Sequence, residues 1–426
     1  MLERIKPMPG LICEILDQLP KEVWSSDSTT FFNPSIGGGQ FQKEIENRLR
    51  SNGHSDENIR SRVFGLETTT ALIDMSVNMH GLVGQYAKMS VEDFMAAEPG
   101  IKYDVVFSAP KFNSMSKSAE DSADPKRKTG NKLWYQYAFK LDTLVKDNGY
   151  VAMITPNQWL TGGVQQRKGN LGILKDIFAK KQLLVAKVAG VTEQYFKGIG
   201  VSIGWWIYQN TPTHKKSTLI LTDRQVEIDF AGLEFLTPEP NETSISIVTK
   251  VLLSKNTKFE TYYFNSQCEK GSESEEPTEE NKYPHWIYGS STSNNLVVRY
   301  FPEVKNDKVN YKKVLFPMST RYWQPYLAGA NISVASLGQA LKVDDATTQE
   351  GFESVFYSKL FKYLCYNLQI AQNGFMKTVL VKSLPKLDMS RVWTDKELFE
   401  HFNLNEEEQE YIVNSTTKKS LDKKKK

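Results

Sequence analysis

The sequence predicts an α/β protein with a doubly wound, mainly parallel sheet, followed by a second domain of α+β structure. Its 426 residues exceed the roughly 250 to 300 that one hydrophobic core usually supports. The first half alternates short apolar runs with amphipathic runs, which is the pattern of strand and helix units around a parallel sheet. After about residue 225 this alternation ends, so a second domain is expected there.

The elements of the first half follow from local patterns taken in order. A first helix is indicated at 11–19, where apolar residues recur at helical spacing. Short apolar runs bounded by polar or glycine-rich turns predict buried strands, and the amphipathic runs between them predict helices. The predicted strands are 29–32, 62–66, 103–107, 150–154, 183–188, 201–208 and 219–221, and the further helices are 40–50, 69–79, 133–145, 172–180 and 245–253. The last two strands are expected to pair as an antiparallel edge.

Four segments of different composition define the predicted domains. Residues 1–225 form the α/β domain, and residues 226–283 form a connector with a solvated acidic run. Residues 284–393 are rich in aromatic side chains and carry 13 basic against 7 acidic groups. Residues 394–426 begin with an acidic stretch, expected to form two short helices over 395–410, and end in a lysine-rich tail. The net charge of +3 therefore conceals a basic domain suited to a polyanionic partner.

The cysteines and histidines exclude several classes of protein. The three cysteines, Cys13, Cys268 and Cys365, lie far apart, and the five histidines show no metal-ligand spacing. A disulfide framework and a metal site are therefore not expected. No apolar run has the length of a signal peptide or of a membrane span. We expect a cytoplasmic protein with no membrane association.

A glycine-rich turn follows the first predicted strand and leads into the second helix. It contains Asn33, Pro34, Gly37, Gly38 and Gly39. Glycines let a ligand approach the backbone closely, and the start of the helix offers unpaired N–H groups to an anionic or carboxylate-bearing cofactor. No Gly-Lys-Ser/Thr follows, which excludes a P-loop, and the third glycine of the dinucleotide fingerprint is missing. A glycine-rich connector without a ligand is the alternative.

Polar residues also follow the next strands. Glu67 ends the second strand, where its carboxylate can accept hydrogen bonds from ribose hydroxyls. Asp93 and Phe94 are expected in a loop before the next strand, with the carboxylate near an adenine amino group and the aromatic over the ring. Together with the glycine turn, these residues predict a nucleoside-bearing cofactor.

The order of these segments resembles motifs I to IV of S-adenosylmethionine-dependent DNA adenine-N6 methyltransferases. Pro9 resembles the start of motif X, residues 149–162 resemble the later motifs, and residues 195–201 resemble motif VIII. The resemblance implies a Rossmann-like class I methyltransferase sheet, S-adenosylmethionine as cofactor, and residues 284–393 as a DNA target-recognition domain. It implies these cofactor-binding residues: Pro9, Asn33, Pro34, Gly37, Gly39, Glu67, Asp93 and Phe94. Asn33 departs from the Asp usual at its position.

The catalytic motif of the family is incomplete here. The family's Asn-Pro-Pro-Tyr/Phe accepts both protons of the adenine amine and stacks on a flipped base. This sequence reads Ser-Ala-Pro-Lys-Phe over residues 108–112, which puts Ala109 at the Asn position and keeps Pro110 and Phe112. The resemblance to motif VIII implies that Phe196 stacks on the opposite face of the flipped base. Without the side-chain acceptor we expect the methylation rate to fall roughly 10²- to 10³-fold. Ala109 can be explained by a substitution introduced into a competent enzyme or by a natural pseudoenzyme, and we favour the first.

The resemblance and the basic segment together imply duplex DNA as the partner. Phosphate contacts and base readout are expected from Lys111, Lys312, Lys313, Arg321, Tyr322 and Gln324. No nuclease motif stands out, so any restriction endonuclease would be a separate protein, and a monomer is expected. The rival hypotheses are a catalytically silent DNA-binding subunit and a methyltransferase acting on RNA or on a protein glutamine amide.

Overall fold

The protein is described by a computed structural model. It describes residues 9–110, 133–161, 173–196, 202–221, 224–231, 236–237, 240–252, 254–264, 273–288, 296–303, 310–317, 325–334, 338–370, 375–376 and 378–418. The chain divides into two compact units. Unit 1 comprises residues 1–162 and 168–234, and unit 2 comprises residues 163–167 and 235–426.

Unit 1 is an α/β structure built on one nine-stranded sheet. Its strands are β1 Phe31–Asn33, β2 Val63–Glu67, β3 Gln85–Lys88, β4 Tyr103–Ser108, β5 Val145–Pro156, β6 Lys181–Lys187, β7 Ile203–Pro212, β8 Ser217–Ile220 and β9 Gln225–Ile228. Its helices are α1 Pro9–Leu16, α2 Glu22–Ser25, α3 Gln40–Ser51, α4 Asp56–Arg62, α5 Thr70–His80, α6 Val91–Ala96, α7 Leu133–Leu144 and α8 Val191–Tyr195. A 3₁₀ turn at Asn157–Thr161 and a π turn at Leu174–Phe178 complete it.

The strand order is β3-β2-β1-β4-β5-β7-β6-β8-β9. Strands β1 to β5 are mutually parallel, whereas β7 runs antiparallel between β5 and β6. The chain winds outward from β1 through β2 to β3, then returns to place β4 on the other side of β1. This reversal is a topological switch point, and it leaves a crevice at the carboxyl ends of β1 and β4. The predicted α/β class with a parallel-rich sheet is confirmed.

Helices cover both faces of the sheet. Alternate strand residues such as Phe31, Val105 and Ile154 join the core cluster that contains α1 and α3. On the other face, Phe32 contacts Phe94 of α6, which in turn contacts α7. The two layers hold the strand ends, and therefore the crevice, between rigid elements.

Several predicted elements need correction. The run 172–180 forms only the π turn at Leu174–Phe178, and the strands predicted at 201–208 and 219–221 are not neighbours, because β6 lies between β7 and β8. The sheet also continues through β9, beyond the predicted domain end at residue 225. Strand β3 and helices α2, α4, α6 and α8 were not predicted from the sequence. Asp93 and Phe94 therefore lie in a helix, not in a loop.

Unit 2 combines helices with small sheets. Its strands are β10 Thr261–Phe264, β11 Tyr283–Tyr288, β12 Leu296–Phe301, β13 Lys313–Pro317, β14 Tyr326–Ala328, β15 Ser333–Val334, β16 Gly338–Lys342, β17 Gln369–Ile370 and β18 Phe375–Met376. Its helices are α9 Glu242–Leu252, α10 Gln349–Phe356, α11 Lys359–Leu368, α12 Thr378–Ser383, α13 Asp395–His401 and α14 Glu406–Lys418. The described sheets have the orders β10-β16-β13-β14, β12-β11-β15 and β17-β18.

One hydrophobic core joins segments that were predicted from the sequence to belong to different domains. It includes Val251 of α9, Phe356 of α10, Leu364 of α11 and Leu398 of α13. The connector helix and the acidic C-terminal helices thus pack together. Among the helices that the structure describes, none has the length and apolarity that a bilayer span requires.

Candidate functional site

A cavity of about 370 Å³ lies in unit 1 at the crevice between β1 and β4. Its volume falls in the range of small-molecule sites. The turn after β1, the end of β2 and the turn after β4 all contribute to its wall. The lining residues are Pro34, Ser35, Ile36, Gly37, Gly38, Gln40, Phe41, Glu67, Thr68, Leu72, Met75, Met79, Val91, Ala109, Leu133 and Tyr137.

The glycine turn is held in one shape by its own backbone and by α5. Asn33 is buried, and its Oδ1 accepts a hydrogen bond from the N–H of Ser35 at 2.9 Å. Ser76 Oγ of α5 donates to the carbonyl of Gly37 at 3.0 Å. Gly39 has a φ of 78°, and a Cβ there would lie 2.9 Å from the Cβ of Ser76. Only glycine satisfies both the conformation and the close approach.

The first turn of α3 begins directly at this cavity. Gly39 is the N-cap residue and offers no side chain to the amides of the helix. The N–H groups at a helix start, together with the helix dipole, attract a carboxylate or phosphate. The start of α3, where Gln40 and Phe41 line the cavity, can therefore offer backbone donors to a ligand.

Glu67 fixes the position of the glycine turn relative to β2. Its carboxylate is almost completely buried, at 3% exposure. Oε2 accepts from the N–H of Gly37 at 2.9 Å, and Oε1 accepts from the N–H of Thr68 at 2.7 Å. The same residue lines the cavity. A buried carboxylate in a cavity wall is a strong acceptor for ligand hydroxyl groups.

Asp93 and Phe94 do not line the cavity. Asp93 is exposed on α6, and its Oδ2 accepts from Ser90 Oγ at 2.7 Å, so the carboxylate belongs to the cap of the helix. Phe94 is buried and packs between Phe32 and Tyr137. Instead, Val91 from the first turn of α6 reaches the cavity. The helical geometry of α6 turns the two predicted residues away.

Ala109 lies in the cavity wall, at the end of β4. Ser108, which precedes it, is fully buried, and its Oγ lies 2.7 Å from Ser35 Oγ in the glycine turn. Pro110 is also buried. The structure thus brings together Pro34, Gly37, Glu67 and Ala109 around one cavity. Lys111 and Phe112 lie outside the described residues.

Phe196 and Pro9 lie apart from this cavity. Phe196 follows α8 and is 6% exposed in the core that also contains Val191 and Ile203. The expected base-stacking position is therefore a core position in the structure. Pro9 is exposed at the first residue of α1. The hydroxyl of Tyr195 donates to Glu14 of that helix at 3.3 Å, which connects α8 to α1.

In unit 2, the two described lysines that were predicted to contact DNA, Lys312 and Lys313, differ in burial. Lys313 is fully buried, and its ammonium donates to the backbone carbonyls of Tyr311 at 3.1 Å and Gly329 at 2.9 Å. Burial lowers the pKa of this ammonium to about 8. The ammonium of Lys313 is thus bonded to the backbone inside the fold. Lys312 is half-buried and donates to the carbonyl of Asp345 at 2.9 Å.

Three further predicted contacts, Arg321, Tyr322 and Gln324, fall outside the described residues. Across the part of the chain that the structure describes, no group of three or more His, Cys, Asp or Glu side chains could hold a metal ion.

The apolar part of the cavity wall was not predicted from the sequence. Leu72, Met75 and Met79 line it from one face of α5, with Val91 and Tyr137 from other helices. Their spacing of three and four residues on α5 is the available signal, because residues at this spacing share one helix face. Met75 and Met79 are exposed, at 42% and 63%. An apolar wall beside a polar turn suits a ligand with a planar apolar part and a charged end.

No protein-family model matches this chain, and no curated protein matches it. Among solved structures, it is similar to the type IIL restriction-modification enzyme MmeI in complex with DNA, with a TM-score of 0.49, 10% identity, and coverage of 96% of this chain and 74% of that chain. The type IIG restriction endonuclease BpuSI gives a TM-score of 0.41 and 8% identity over 94% of this chain and 61% of that chain. The M protein of the type I restriction enzyme EcoKI gives 0.37 and 15% over 52% and 48%. The chain thus spans about half the length of that type I subunit, and these three similar structures all come from restriction enzymes or restriction-modification enzymes.

Proposed function

We propose that this chain is an S-adenosylmethionine-dependent DNA methyltransferase of the restriction-modification type that modifies the N6 amine of adenine. The observation that carries the proposal is a single cavity at the switch point of the sheet. It is lined by the glycine turn, by the buried carboxylate of Glu67 and by the turn that contains Ala109. In this proposal, the residues that bind the cofactor and the turn that receives the target amine line the same cavity.

The cavity fits the cofactor on its own chemistry. The backbone donors at the start of α3 suit the carboxylate of the methionine part, and the Glu67 carboxylate suits the ribose hydroxyls. A Cβ at Gly39 would collide with Ser76, so the close backbone of the turn depends on glycine. Val91 and Leu72 supply apolar wall for the adenine ring. When bound, S-adenosylmethionine supplies an already reactive methyl group, so the protein's task is alignment.

The turn after β4 receives the target amine. The methyl side chain of Ala109 lines the cavity but cannot accept a hydrogen bond from the amine, so the backbone carbonyl of Pro110 would be the remaining acceptor. Loss of one preorganised hydrogen-bond partner at a reacting centre reduces rates by roughly 10²- to 10³-fold. We therefore propose a strongly impaired enzyme, and we favour a substitution in a competent enzyme over a natural pseudoenzyme, because Glu67 and the glycine turn retain their geometry.

The proposed substrate is duplex DNA with the target base flipped into the cavity. Unit 2 contains the whole segment 284–393, whose basic excess suits phosphate contacts. A flipped base is needed because the amine cannot reach a cofactor from inside the duplex. We propose a monomer acting in the cytoplasm, with any restriction endonuclease as a separate protein.

The second candidate is a catalytically silent DNA-binding subunit. The observation that favours it is the absence of a side-chain acceptor at Ala109. The two candidates differ in one respect: a silent subunit gains no activity when the acceptor is restored.

The test is Ala109→Asn, with Ala109→Leu as the matched control that adds bulk without an acceptor. Both variants and the parent chain are first titrated with S-adenosylmethionine by calorimetry, and binding by all three is expected. They are then incubated with labelled cofactor and mixed-sequence duplex DNA. We expect Ala109→Asn to form N6-methyladenine at a rate at least about 10²-fold above the other two.

Two results would contradict the proposal in different ways. Absence of cofactor binding by the parent chain would remove the methyltransferase assignment. Cofactor binding without methylation by Ala109→Asn would leave the silent subunit as the better description.

A further inference from the structure

Strands β1 and β4 are joined by side-chain hydrogen bonds at both ends. At the amino end, Asp104 Oδ2 accepts from the N–H of Thr30 at 2.9 Å and from Thr30 Oγ1 at 2.6 Å. At the carboxyl end, the hydroxyl oxygens of Ser35 and Ser108 lie 2.7 Å apart. Both links connect the same two strands, but only one of them lies at the cavity.

The carboxyl-end link connects two turns with different tasks. Ser35 lies in the glycine turn and lines the cavity. Ser108 is fully buried and immediately precedes Ala109. Because Ser108 and Ala109 are joined by one planar peptide bond, a displacement of the Ser108 backbone also displaces Ala109. The Thr30 and Asp104 link contains no residue of the cavity wall.

Burial makes the serine link sensitive to the loss of Ser35, because the hydroxyl of the fully buried Ser108 would then keep its full desolvation penalty without this partner. Ser35 is only half-buried, so the loss of Ser108 removes the link between the two turns without leaving a buried hydroxyl unpaired. The register Phe32↔Val106 fixes the strands themselves. Beyond this register, the hydrogen bond between Ser35 and Ser108 also ties the two turns to each other.

We propose that Ser35 and Ser108 are positioning residues that set the spacing between the cofactor-binding turn and the Ala109–Pro110 turn. The inference rests on the proposed function in that it requires a ligand at the glycine turn. In-line transfer depends on alignment, and a displacement of about 1 Å can reduce a rate by about 10²-fold. Ser108 acts through its neighbours, because it is completely buried and does not line the cavity.

The first experiment uses the chain as it stands. Amide hydrogen exchange at Ala109 is measured with and without S-adenosylmethionine for the parent, Ser108→Ala and the control Thr30→Val, which weakens the other link. We expect the cofactor to slow exchange at Ala109 in the parent and in Thr30→Val. In Ser108→Ala the slowing should be smaller by about tenfold, with thermal unfolding followed in parallel to show that each variant is folded.

The second experiment uses the Ala109→Asn background. Single-turnover methyl transfer should fall by about 10- to 100-fold in Ser108→Ala, while the Kd for the cofactor changes by less than about threefold. Thr30→Val should lower the thermal midpoint and leave the transfer rate unchanged. The double variant Ser35→Ala/Ser108→Ala should transfer no more slowly than the slower single variant, because one link is lost in each.

The outcomes separate this inference from the proposed function. If Ser108→Ala and Thr30→Val change exchange at Ala109 equally, the serine pair is merely structural and the inference is overturned. If no variant binds the cofactor, the coupling and the proposed function both fail. If the cofactor binds and slows exchange as expected but Ala109→Asn does not methylate DNA, the serine coupling stands and the proposed reaction fails.

Discussion

Glu67 of unit 1 and Lys313 of unit 2 are both buried charged residues that the sequence reading assigned to ligand binding. Each makes hydrogen bonds to the backbone, Glu67 to the N–H of Gly37 and Lys313 to the carbonyl of Gly329. Glu67 and its partner Gly37 line a cavity, whereas Lys313 pairs across its sheet with Ala328, which belongs to the small core around Trp286. Burial of a charged side chain therefore does not by itself separate a candidate ligand-binding residue from a structural one, and the adjoining cavity is what makes Glu67 a candidate.

The same contrast distinguishes two kinds of sequence evidence. The order of the segments after β1, β2 and β4 identifies positions that the fold brings together, because parallel neighbours end at the same edge of a sheet. A count of basic residues identifies no position. Two of the lysines predicted to contact DNA are described by the structure. The ammonium of one of them, Lys313, donates its hydrogen bonds to nearby backbone carbonyls.

The largest effect should come from Gly39→Ala, which tests whether the glycine turn is as constrained as its geometry indicates. The new Cβ would combine a φ of 78° with a 2.9 Å contact to Ser76. We expect a loss of about 3 kcal/mol in the free energy of unfolding, measured by urea titration. Gly81→Ala is the matched control, since its φ is 63° and no atom lies within 4 Å of a Cβ there.

The control should lose only about 1 to 2 kcal/mol, the cost of the left-handed conformation alone. Equal losses for the two variants would show that α5 yields to the new methyl group. The glycine turn would then be held no more tightly than a helix end.

A smaller effect is expected from Glu67→Gln, which keeps the shape of the side chain and removes its charge. The weaker acceptor should lower the affinity for S-adenosylmethionine by about 30-fold, equivalent to about 2 kcal/mol, because hydrogen bonds to charged groups are the stronger ones. Calorimetric titration measures this. Glu57→Gln on the exposed face of α4 provides the control, and its affinity should equal that of the parent. An unchanged affinity in Glu67→Gln would separate this carboxylate from the cofactor site.

Much of the fold can be predicted from the sequence because buried parallel strands are continuous apolar runs. Strand β1 at Phe31 and Phe32 and strand β4 at 105–107 show this directly. Strand β3, Gln85–Lys88, is a largely exposed polar strand of four residues and gives no such signal. The missed helix α6 has a signal in its cap, since Ser90 is followed three residues later by Asp93.

The site is less predictable wherever the orientation of a short helix determines whether a side chain faces the cavity or the core. The glycine turn and Glu67 are predictable, because the pairing of Asn33 with Gly65 aligns the ends of β1 and β2. Phe94 is buried because of how α6 is rotated and Phe196 because of how the chain leaves α8, and no local pattern encodes either orientation. An aromatic residue serves a core and a ligand equally well.

The smallest effect concerns Lys313 and depends on pH. Its pKa is about 8 in the folded protein, against an ordinary value of 10.5. Between these two pH values the unfolded chain binds the proton that the folded protein releases, so the free energy of unfolding rises with pH. Full use of the 2.5-unit difference would give about 3 kcal/mol, and we expect about 1 to 2 kcal/mol over the experimentally accessible pH 8 to 9.5.

Urea titrations of the parent, Lys313→Met and the control Lys312→Met at pH 7.5, 8.5 and 9.5 test this. The increase in the free energy of unfolding with pH should persist in the parent and in Lys312→Met, because the side chain of Lys312 is only half-buried. It should disappear in Lys313→Met, which cannot take up a proton. Salt-dependent binding of duplex DNA should remain equal in the parent and Lys313→Met, because a buried ammonium that donates to the carbonyls of Tyr311 and Gly329 releases no phosphate counterion. A weaker salt dependence in Lys313→Met would instead place this lysine on the DNA-binding surface and remove the contrast with Glu67.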